Sequence, residues 1–264
     1  MARSELLCTD LASVALALDL GADRIELCAA LEVGGVSPGP GLLAQTLEAR
    51  DRAAAPGQRT EVVVLARPRR GDFVLDDGDF AALLSDVAAA REGRADGVAL
   101  GVLTREGAVD APRMARLVEA AGNLRVTFHR AFDQLEDRAA GVEVLLGLGV
   151  RRLLTSGGAA SAWAGRVELR ALAERLGGRI EVVAAGGISG ESAARVLEAT
   201  GVPAIHGSCS HLVGESSAGA SSVALGKPGA PPEESRLTLD AESAKRFVRA
   251  AMDAPSGPAG LALD

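Results

Sequence analysis

The stretch Asp23-Arg24-Ile25-Glu26-Leu27-Cys28-Ala29-Ala30 alternates polar and apolar residues at a period of two, which predicts a β-strand. Three polar side chains, Arg24, Glu26 and Cys28, fall on one face of that strand, and the apolar side chains fall on the other. The apolar face needs helices packed against it, whereas an arginine, a carboxylate and a thiol need a partly hydrated polar environment. The interior of a small barrel that opens at its carboxyl end satisfies both requirements.

The rest of the chain repeats a strand followed by a helix. Glu61-Val-Val-Val-Leu-Ala-Arg67 is almost wholly apolar, as expected of a parallel strand buried on both faces. A final helix is predicted over residues 238–252, with Asp240 near its cap. The Ser-, Gly-, Ala- and Pro-rich stretch 212–236 is predicted to be a long loop. The predicted strands lie at residues 5–9, 23–30, 61–67, 97–102, 124–129, 150–155, 179–185 and 204–207.

Eight strands that alternate with eight helices predict a parallel sheet closed into a barrel, the TIM (β/α)8 fold of the α/β class. The alternative is an open doubly wound sheet, which is less favoured because no G-x-G-x-x-G follows the first strand. We expect a single domain, with the barrel over residues 1–252 and a flexible carboxyl-terminal tail over residues 253–264.

Composition narrows the functional classes. The 264 residues carry a formal net charge of −7, and this acidity argues against a nucleic-acid partner, which needs a basic face. No apolar run approaches the roughly 18 residues of a membrane-spanning helix, and no signal-peptide pattern precedes the first strand. The 3 cysteines are far apart and are expected to be free thiols of a cytoplasmic protein. A small molecule or a metal ion remains as the expected ligand, without nucleic acid or membrane.

Polar residues gather toward the carboxyl ends of the predicted strands, where barrels of this kind hold their functional groups. Because such lumens are filled mainly by Val, Ile and Leu, a polar ring of this size indicates a site. The alternative is an internal ion-pair network of Glu5, Arg24, Glu26 and Arg67 that only fills the lumen. The candidates are Glu5, Arg24, Glu26, Cys28, Arg67, Arg69, His129, Asp133, Thr155, Ser156, Gly186, Gly187, His206 and Ser208.

Two segments occupy positions where such barrels often bind phosphate: Gly186-Gly187 after the seventh strand, and His206 to Ser208 after the eighth. Backbone N–H groups freed by glycine at a helix N-terminus favour anions. The alternative is that the two glycines only form a turn. Ser156-Gly157-Gly158 gives a similar but weaker signal.

His129 is a candidate general acid–base residue or metal ligand. Asp133 lies four residues further on, close enough to orient the imidazole. The alternative is that His129 is hydrogen-bonded structure. No two histidines or cysteines have metal-finger spacing, so spacing alone indicates no metal site.

Four collinear motifs resemble the CutC family of copper homeostasis proteins. They are Gly21-Ala-Asp-Arg-Ile-Glu-Leu-Cys28, Arg67-Pro-Arg69 with Gly71-Asp-Phe73, Val126-Thr-Phe-His-Arg-Ala-Phe-Asp133 and Leu154-Thr-Ser-Gly157. The resemblance implies a cytoplasmic TIM barrel, often a homo-oligomer. It also implies an association with copper tolerance and, in some members, Cu(I) binding by cysteines of the first two strands. In this chain the corresponding ligands would be Cys28 and Cys8.

The first strand departs from the family pattern, because Leu7 takes the position of the ligand cysteine and Cys8 lies one residue later. A shift of one residue turns a strand side chain to the opposite face, so Cys8 is expected to point toward the helices unless a bulge restores it. Two hypotheses follow. Either the protein handles copper through Cys28, or it is an enzyme, or a relic of one, for a small anionic or phosphorylated ligand. In the second hypothesis Arg67 and the two glycines hold the anion, while Glu26 and His129 move protons.

Overall fold

Eight parallel strands close the barrel, each hydrogen-bonded to the next in chain order. A computed structural model of the protein describes residues 1–54, 59–214 and 235–255. The barrel strands are β1 Arg3–Cys8, β2 Arg24–Leu27, β3 Glu61–Leu65, β4 Gly97–Leu100, β5 Arg125–Phe128, β6 Arg152–Thr155, β7 Glu181–Ala184 and β8 Ala204–Gly207. The predicted TIM barrel is confirmed.

Helices cover the outer face of the barrel. They are α1 Leu11–Asp19, α2 Pro40–Ala53, α3 Asp77–Glu92, α4 Ala111–Ala121, α5 Arg138–Gly147, α6 Arg166–Leu176, α7 Ala193–Thr200 and α8 Ala241–Asp253, with short 3-10 helices at Leu31–Val33 and Arg130–Gln134. Five α-helices begin after an aspartate whose carboxylate accepts a backbone N–H from three residues later, and these caps are Asp10, Asp76, Asp110, Asp137 and Asp240. Within the described ranges, no helix is both long enough and apolar enough to cross a bilayer.

The stretch predicted as a loop over 212–236 contains β-structure at both ends. β9 Ser210–Gly214 pairs antiparallel with β10 Ser235–Leu239, so the loop prediction was wrong there. Arg236-Leu-Thr-Leu239 has the alternation of a strand, but the Ser- and Gly-rich sequence before it obscured that signal. Residues 215–234 of the predicted loop lie outside the described residues.

The last helix also differs from its predicted bounds. α8 begins at Ala241 rather than at residue 238, because Asp240 adopts the extended conformation of a cap and its carboxylate accepts the N–H of Ser243. The predicted tail starts at residue 253, which the structure places at the end of α8. Residues 256–264 of that tail lie outside the described residues.

Inward-facing side chains form layers of four, each supplied by alternate strands, as in other barrels of this shape. The two lowest layers contain most of the charge, and the next three mix apolar side chains with candidate functional groups. From the amino-terminal end upward, the strand register gives Arg3, Glu61, Arg125 and Glu181; Arg24, Gly97, Arg152 and Ala204; Glu5, Val63, Thr127 and Val183; Glu26, Ala99, Leu154 and His206; and Leu7, Leu65, His129 and Ala185.

Outward-facing strand side chains pack against the helices in the main hydrophobic core. Leu6, Ile25 and Leu27 belong to this core, as the alternation along β1 and β2 requires. Cys8 lies in the same core, whereas Cys28 packs in a separate cluster inside the lumen. The two cysteines therefore lie on opposite faces of the sheet.

Candidate functional site

A cavity of about 260 Å³ opens at the carboxyl end of the barrel. Its apolar walls include Leu7, Leu65, Phe73, Leu154 and Ile188. Mostly apolar walls with a few convergent polar groups are typical of a small-molecule site. The polar side chains that line the cavity are Glu26, Arg67, His129, Arg130, His206 and Ser208.

Glu26 and His206 lie at the cavity floor, and Glu5 lies one layer below them. Each of these three residues has one atom that could bind a metal ion, a carboxylate oxygen or an imidazole nitrogen, and these three atoms lie within 4.8 Å of one another. The Nδ1 atom of His206 is hydrogen-bonded to Oε1 of Glu5 at 2.7 Å, and Nε of Arg24 donates to Oε2 of Glu5 at 2.8 Å. The Oε2 atom of Glu26 is buried without a hydrogen-bond partner among the described residues.

The environments of these groups move their pKa values in different directions. Burial raises the pKa of Glu26 to about 7, with the charge of His206 opposing the shift and that of Glu5 reinforcing it. Burial alone would raise the pKa of Glu5 as well, but Arg24 and the hydrogen bond with His206 outweigh it and lower the pKa to about 2. Burial would lower the pKa of His206, but Glu26 and Glu5 raise it. Glu26 is therefore the carboxyl that changes protonation near neutral pH.

His129 is held as a neutral imidazole. Its Nδ1 accepts the backbone N–H of Ala131 at 3.3 Å, so the ring proton lies on Nε2. Burial, together with the charge of Arg67, lowers the pKa of His129 to about 3. The ring packs against Phe73, with centroids 4.7 Å apart. His129 is thus a fixed hydrogen-bond donor at neutral pH rather than a base.

Asp133 does not orient His129 as expected; it binds the loop that follows β6. Its carboxylate accepts hydrogen bonds from Oγ1 of Thr155 (2.5 Å) and from the backbone N–H groups of Ser156 (3.0 Å) and Gly158 (3.0 Å). The hydrogen-bond donors of this loop, which could otherwise bind an external anion, are therefore already bound to the Asp133 carboxylate. Thr155 and Ser156 are fully buried and do not line the cavity. The weaker anion signal in this loop is explained by an internal carboxylate.

Arg67 forms part of the cavity wall after β3. Its Nη1 donates to the carbonyl of Gly35 at 3.0 Å, and its Nη2 donates to the carbonyl of Gly71 at 2.9 Å. The guanidinium carbon lies 5.2 Å from the centroid of the Phe73 ring. Burial, with the neighbouring Arg69, lowers the pKa of Arg67. Its Nε is buried without a hydrogen-bond partner in the described part of the chain.

The other arginines near the mouth differ in position. Arg69 donates to Asp79 at 2.5 Å and does not line the cavity. Arg130 lines the cavity and donates to Asp133 at 2.8 Å and to Oγ of Ser156 at 3.1 Å. Asp133 therefore positions a cavity arginine.

Gly186 and Gly187 line the cavity between β7 and α7, with φ angles of +102° and +68°. Glycine adopts such angles without the steric cost that a Cβ brings. A Cβ at Gly186 would lie 3.1 Å from Cβ of Ser156, so the loop also needs the space. His206 and Ser208 approach the cavity from the adjacent strand end.

An ion network lies beneath the site, and we call it the lower ion network: Glu5, Arg24, Glu61, Arg152 and Glu181. Sequence reasoning missed Glu61, Arg152 and Glu181. Arg24 donates to both oxygens of Glu181 at 2.9 Å, Arg152 donates to Glu181 at 2.9 Å, and Arg152 also binds Glu61. The three missed residues are the first of their strands, whereas the site was predicted from residues at the carboxyl ends. Each of these residues is charged and shares the inward-facing side of its strand, and this alternation could have identified it in the sequence.

Glu26 and Arg67 take no part in this network. The alternative interpretation, in which both fill the lumen as ion-pair partners, therefore holds only for Glu5 and Arg24. Arg24 is fully buried below the cavity and does not line it.

Comparisons with known proteins agree on one family. A sequence model of the CutC family matches residues 2–211. A protein of Rhizobium meliloti named "family protein CutC" is 37% identical over 240 residues, which cover 90% of this chain and 91% of the relative. Its namesake in Caulobacter vibrioides is 41% identical over 197 residues, 75% of this chain and 77% of the relative.

A solved structure gives the same result. The CutC protein of Streptococcus agalactiae, provisionally named for copper homeostasis, superposes with a TM-score of 0.73 at 28% identity, covering 79% of this chain and 99% of that one. Thiamine phosphate pyrophosphorylase from Pyrococcus furiosus has a TM-score of 0.56 at 19% identity, a likeness of fold alone. On the family match and the identity to its relatives, this chain belongs to the CutC family.

Proposed function

We propose that the cavity binds a small anionic metabolite and that Glu26 transfers a proton to or from it. The observation that carries this proposal is the unpartnered Oε2 of Glu26 at the floor of a cavity whose wall contains Arg67 and Arg130. A buried carboxyl without a hydrogen bond is costly, so a site that keeps one gains something from it when a ligand is bound. Its pKa of about 7 suits a group that must both accept and release a proton.

The anion is proposed to lie near the mouth. Arg67 offers its free Nε, and Gly186 and Gly187 bring backbone close to the ligand. Asp133 contributes by positioning Arg130. Arginine is suited to carboxylate and phosphate groups because its planar donors match their oxygens.

Anion binding is tested by thermal unfolding with inorganic phosphate as the probe. Phosphate should raise the Tm of the wild type by about 2–4 °C, since a ligand of the folded state stabilises it by mass action. In Arg67→Ala this increment should disappear, whatever the variant's own Tm. Arg70→Ala is the matched control, because Arg70 is exposed and does not line the cavity. An increment that is absent from the wild type, or kept in Arg67→Ala, would refute the proposed anion site.

Copper binding by Cys28 is the second candidate, favoured by the family relationship and by the position of this thiol in the lumen. The donor set fits Cu(I) poorly. Cu(I) prefers soft thiolates, but Cys8 lies on the other face of the sheet and Leu7 packs against the lumen cluster of Cys28. Burial also raises the pKa of the Cys28 thiol, and Gly35 covers it so closely that a Cβ there would lie 3.5 Å from Sγ.

Titration of the reduced protein with Cu(I) against a chromogenic chelator tests this candidate. If Cys28 is a ligand, Cys28→Ala should lose stoichiometric binding while Cys209→Ala, a buried thiol outside the lumen, should keep it. Equal binding by the wild type and Cys28→Ala, or no binding by either, would exclude the thiol.

A further inference from the structure

Two reactive groups face the same cavity from nearly opposite sides. Glu26 is on β2 and His129 follows β5, three strands away in a closed barrel of eight. The register puts them in neighbouring layers, with His129 one layer nearer the mouth. A ligand that fills the cavity therefore lies between a carboxyl group and an imidazole. Resting on the proposed function, we infer that the substrate is a small carbonyl compound with a phosphate or carboxylate group, and that Glu26 removes a proton from the carbon beside the carbonyl.

The imidazole has the form that this reaction requires. Because Nδ1 of His129 accepts the N–H of Ala131, the Nε2–H is the donor, and Nε2 has no partner among the described residues. Phe73 packs on the ring of His129. On another side the ring lies so close to Gly101 that a Cβ at Gly101 would be 2.8 Å from Nδ1 of His129. A neutral, fixed N–H donor stabilises the oxygen of a developing enolate without protonating it beforehand.

Glu26 is the available base. Its side chain is buried, with 3% of the residue exposed, and Oε2 has no partner in the described ranges. A glycosidase would need a second free carboxyl, and the nearby candidate, Glu5, is already bound to Arg24 and His206. One free carboxyl opposite one neutral donor favours enolisation.

The cavity limits the ligand. Its volume of about 260 Å³ lies just below the usual range of ligand sites, roughly 300–1,000 Å³, and indicates a compact metabolite. Arg67 and Gly186 at the wall place the anionic group away from the floor.

The step balances without a further reactant. The carboxylate of Glu26 takes the proton, and the electron pair of the C–H bond becomes the carbon–carbon double bond of the enolate. The carbonyl π electrons move to oxygen, which accepts the hydrogen bond from Nε2 of His129. Return of a proton to carbon reverses the step, so in heavy water deuterium replaces hydrogen at that carbon.

The test is deuterium uptake measured by proton NMR in heavy water, with dihydroxyacetone phosphate and pyruvate as separate probes. Uptake into dihydroxyacetone phosphate alone assigns a phosphorylated substrate, and uptake into pyruvate alone assigns a carboxylate. The wild type should accelerate uptake into at least one probe. Glu26→Gln should lower the rate by ~100-fold or more, the usual contribution of a general base. Glu198→Gln, an exposed glutamate of α7, should match the wild type.

His129 is tested with two variants. His129→Phe, which keeps the ring packing but removes the donor, should lose most of the exchange, and His129→Gln, which can still donate an N–H, should recover part of it. Circular dichroism and Tm confirm that each variant is folded. Uptake into neither probe above the Glu26→Gln level, or uptake that survives in Glu26→Gln, would overturn the inference. In the first of these cases the phosphate-dependent rise in Tm would still report separately on anion binding.

Discussion

Glu26 and Glu5 lie in adjacent layers of the lumen, yet their environments shift their pKa values in opposite directions. Glu5 has Arg24 and His206 as hydrogen-bond partners, whereas Glu26 has a carboxylate oxygen with none in the described structure. Arg24 stabilises the charged form of Glu5, and no comparable partner offsets the burial of Glu26. The two residues are both glutamates, so their different protonation behaviour comes from their surroundings and not from the residue type.

This difference predicts an opposite pH dependence of stability. The pKa of Glu26 is about 7 in the folded state, above its ordinary value of 4.5, so between these values the native state holds a proton that the unfolded state has released. The stability that the neutral group confers is present below pH 4.5 and lost as pH rises through 7. Glu26→Gln should therefore match the wild type near pH 5 and exceed it at pH 8, by on the order of 2–3 kcal/mol in the free energy of unfolding. His206 and Glu5 face Glu26 from β8 and β1 and both side chains are kept in this variant, but the pKa of His206 loses the raising effect of the Glu26 charge.

Urea denaturation at several pH values measures the effect, and Glu5→Gln supplies the control of opposite sign. The pKa of Glu5 falls from 4.5 to about 2, so its contribution is present above pH 4.5 and lost as pH falls toward 2. Glu5→Gln should destabilise the protein at pH 7 and progressively less below pH 4.5. A constant difference between Glu26→Gln and the wild type from pH 5 to 8 would contradict the assignment of Glu26.

At the scale of elements, the segment after β5 and the loop after β6 are joined by one carboxylate. Asp133 accepts hydrogen bonds from both the side chain and the backbone of this loop, through Thr155, Ser156 and Gly158. It also fixes Arg130 at the cavity wall. The loop after β6 is therefore held by a carboxylate of the neighbouring unit.

Asp133→Ala should lower the free energy of unfolding by about 2–4 kcal/mol, because it leaves several buried donors without an acceptor. Urea denaturation measures this loss. Asp253→Ala is the control, since Asp253 is exposed at the end of α8 and its pair with Arg249 is a surface one. A loss in Asp133→Ala no larger than in the control would mean that the loop is held in another way.

At the scale of the whole molecule, the barrel closes around the lower ion network. Arg24 is fully buried and binds Glu5 from β1 and Glu181 from β7, so it connects strands on either side of the closure between β1 and β8. A buried ion pair contributes little net stability as a pair, but removing one partner leaves a charge that cannot be solvated. Arg24 thus opposes separation of these strands.

Arg24→Met should lower the free energy of unfolding by about 3–5 kcal/mol, since two buried carboxylates lose a shared cation, which leaves Glu5 with His206 and Glu181 with Arg152 as partners. It should also raise the pKa of Glu5, so that part of the lost stability returns as pH falls toward 4. Denaturation at pH 7 and pH 4 measures both effects, with exposed Arg249→Met as the control. A variant as stable as that control would show that the network is not needed for closure.

The fold class and five of the six polar side chains that line the cavity could be predicted from the sequence. Alternation at a period of two fixes which strand face carries Arg24, Glu26 and Cys28, and the repeated strand–helix order favours a closed parallel barrel over an open doubly wound sheet. Both patterns are local, so they can be recognised in the sequence without knowing which distant residues come into contact. The hairpin of β9 and β10 escaped prediction because pairing across 215–234 is non-local and the flanking composition resembled a loop.

The role of each candidate residue depends on contacts that form only in the folded protein. Glu5 and His206 are 201 residues apart in the chain, and closure of β8 onto β1 brings them into contact. Packing of the β5 and β6 units places Asp133 against the loop after β6 rather than against His129, and Glu26 is left without a hydrogen-bond partner within the described residues. Burial and neighbouring charges set a pKa, and both depend on strand register and layer height, which no single segment of sequence encodes.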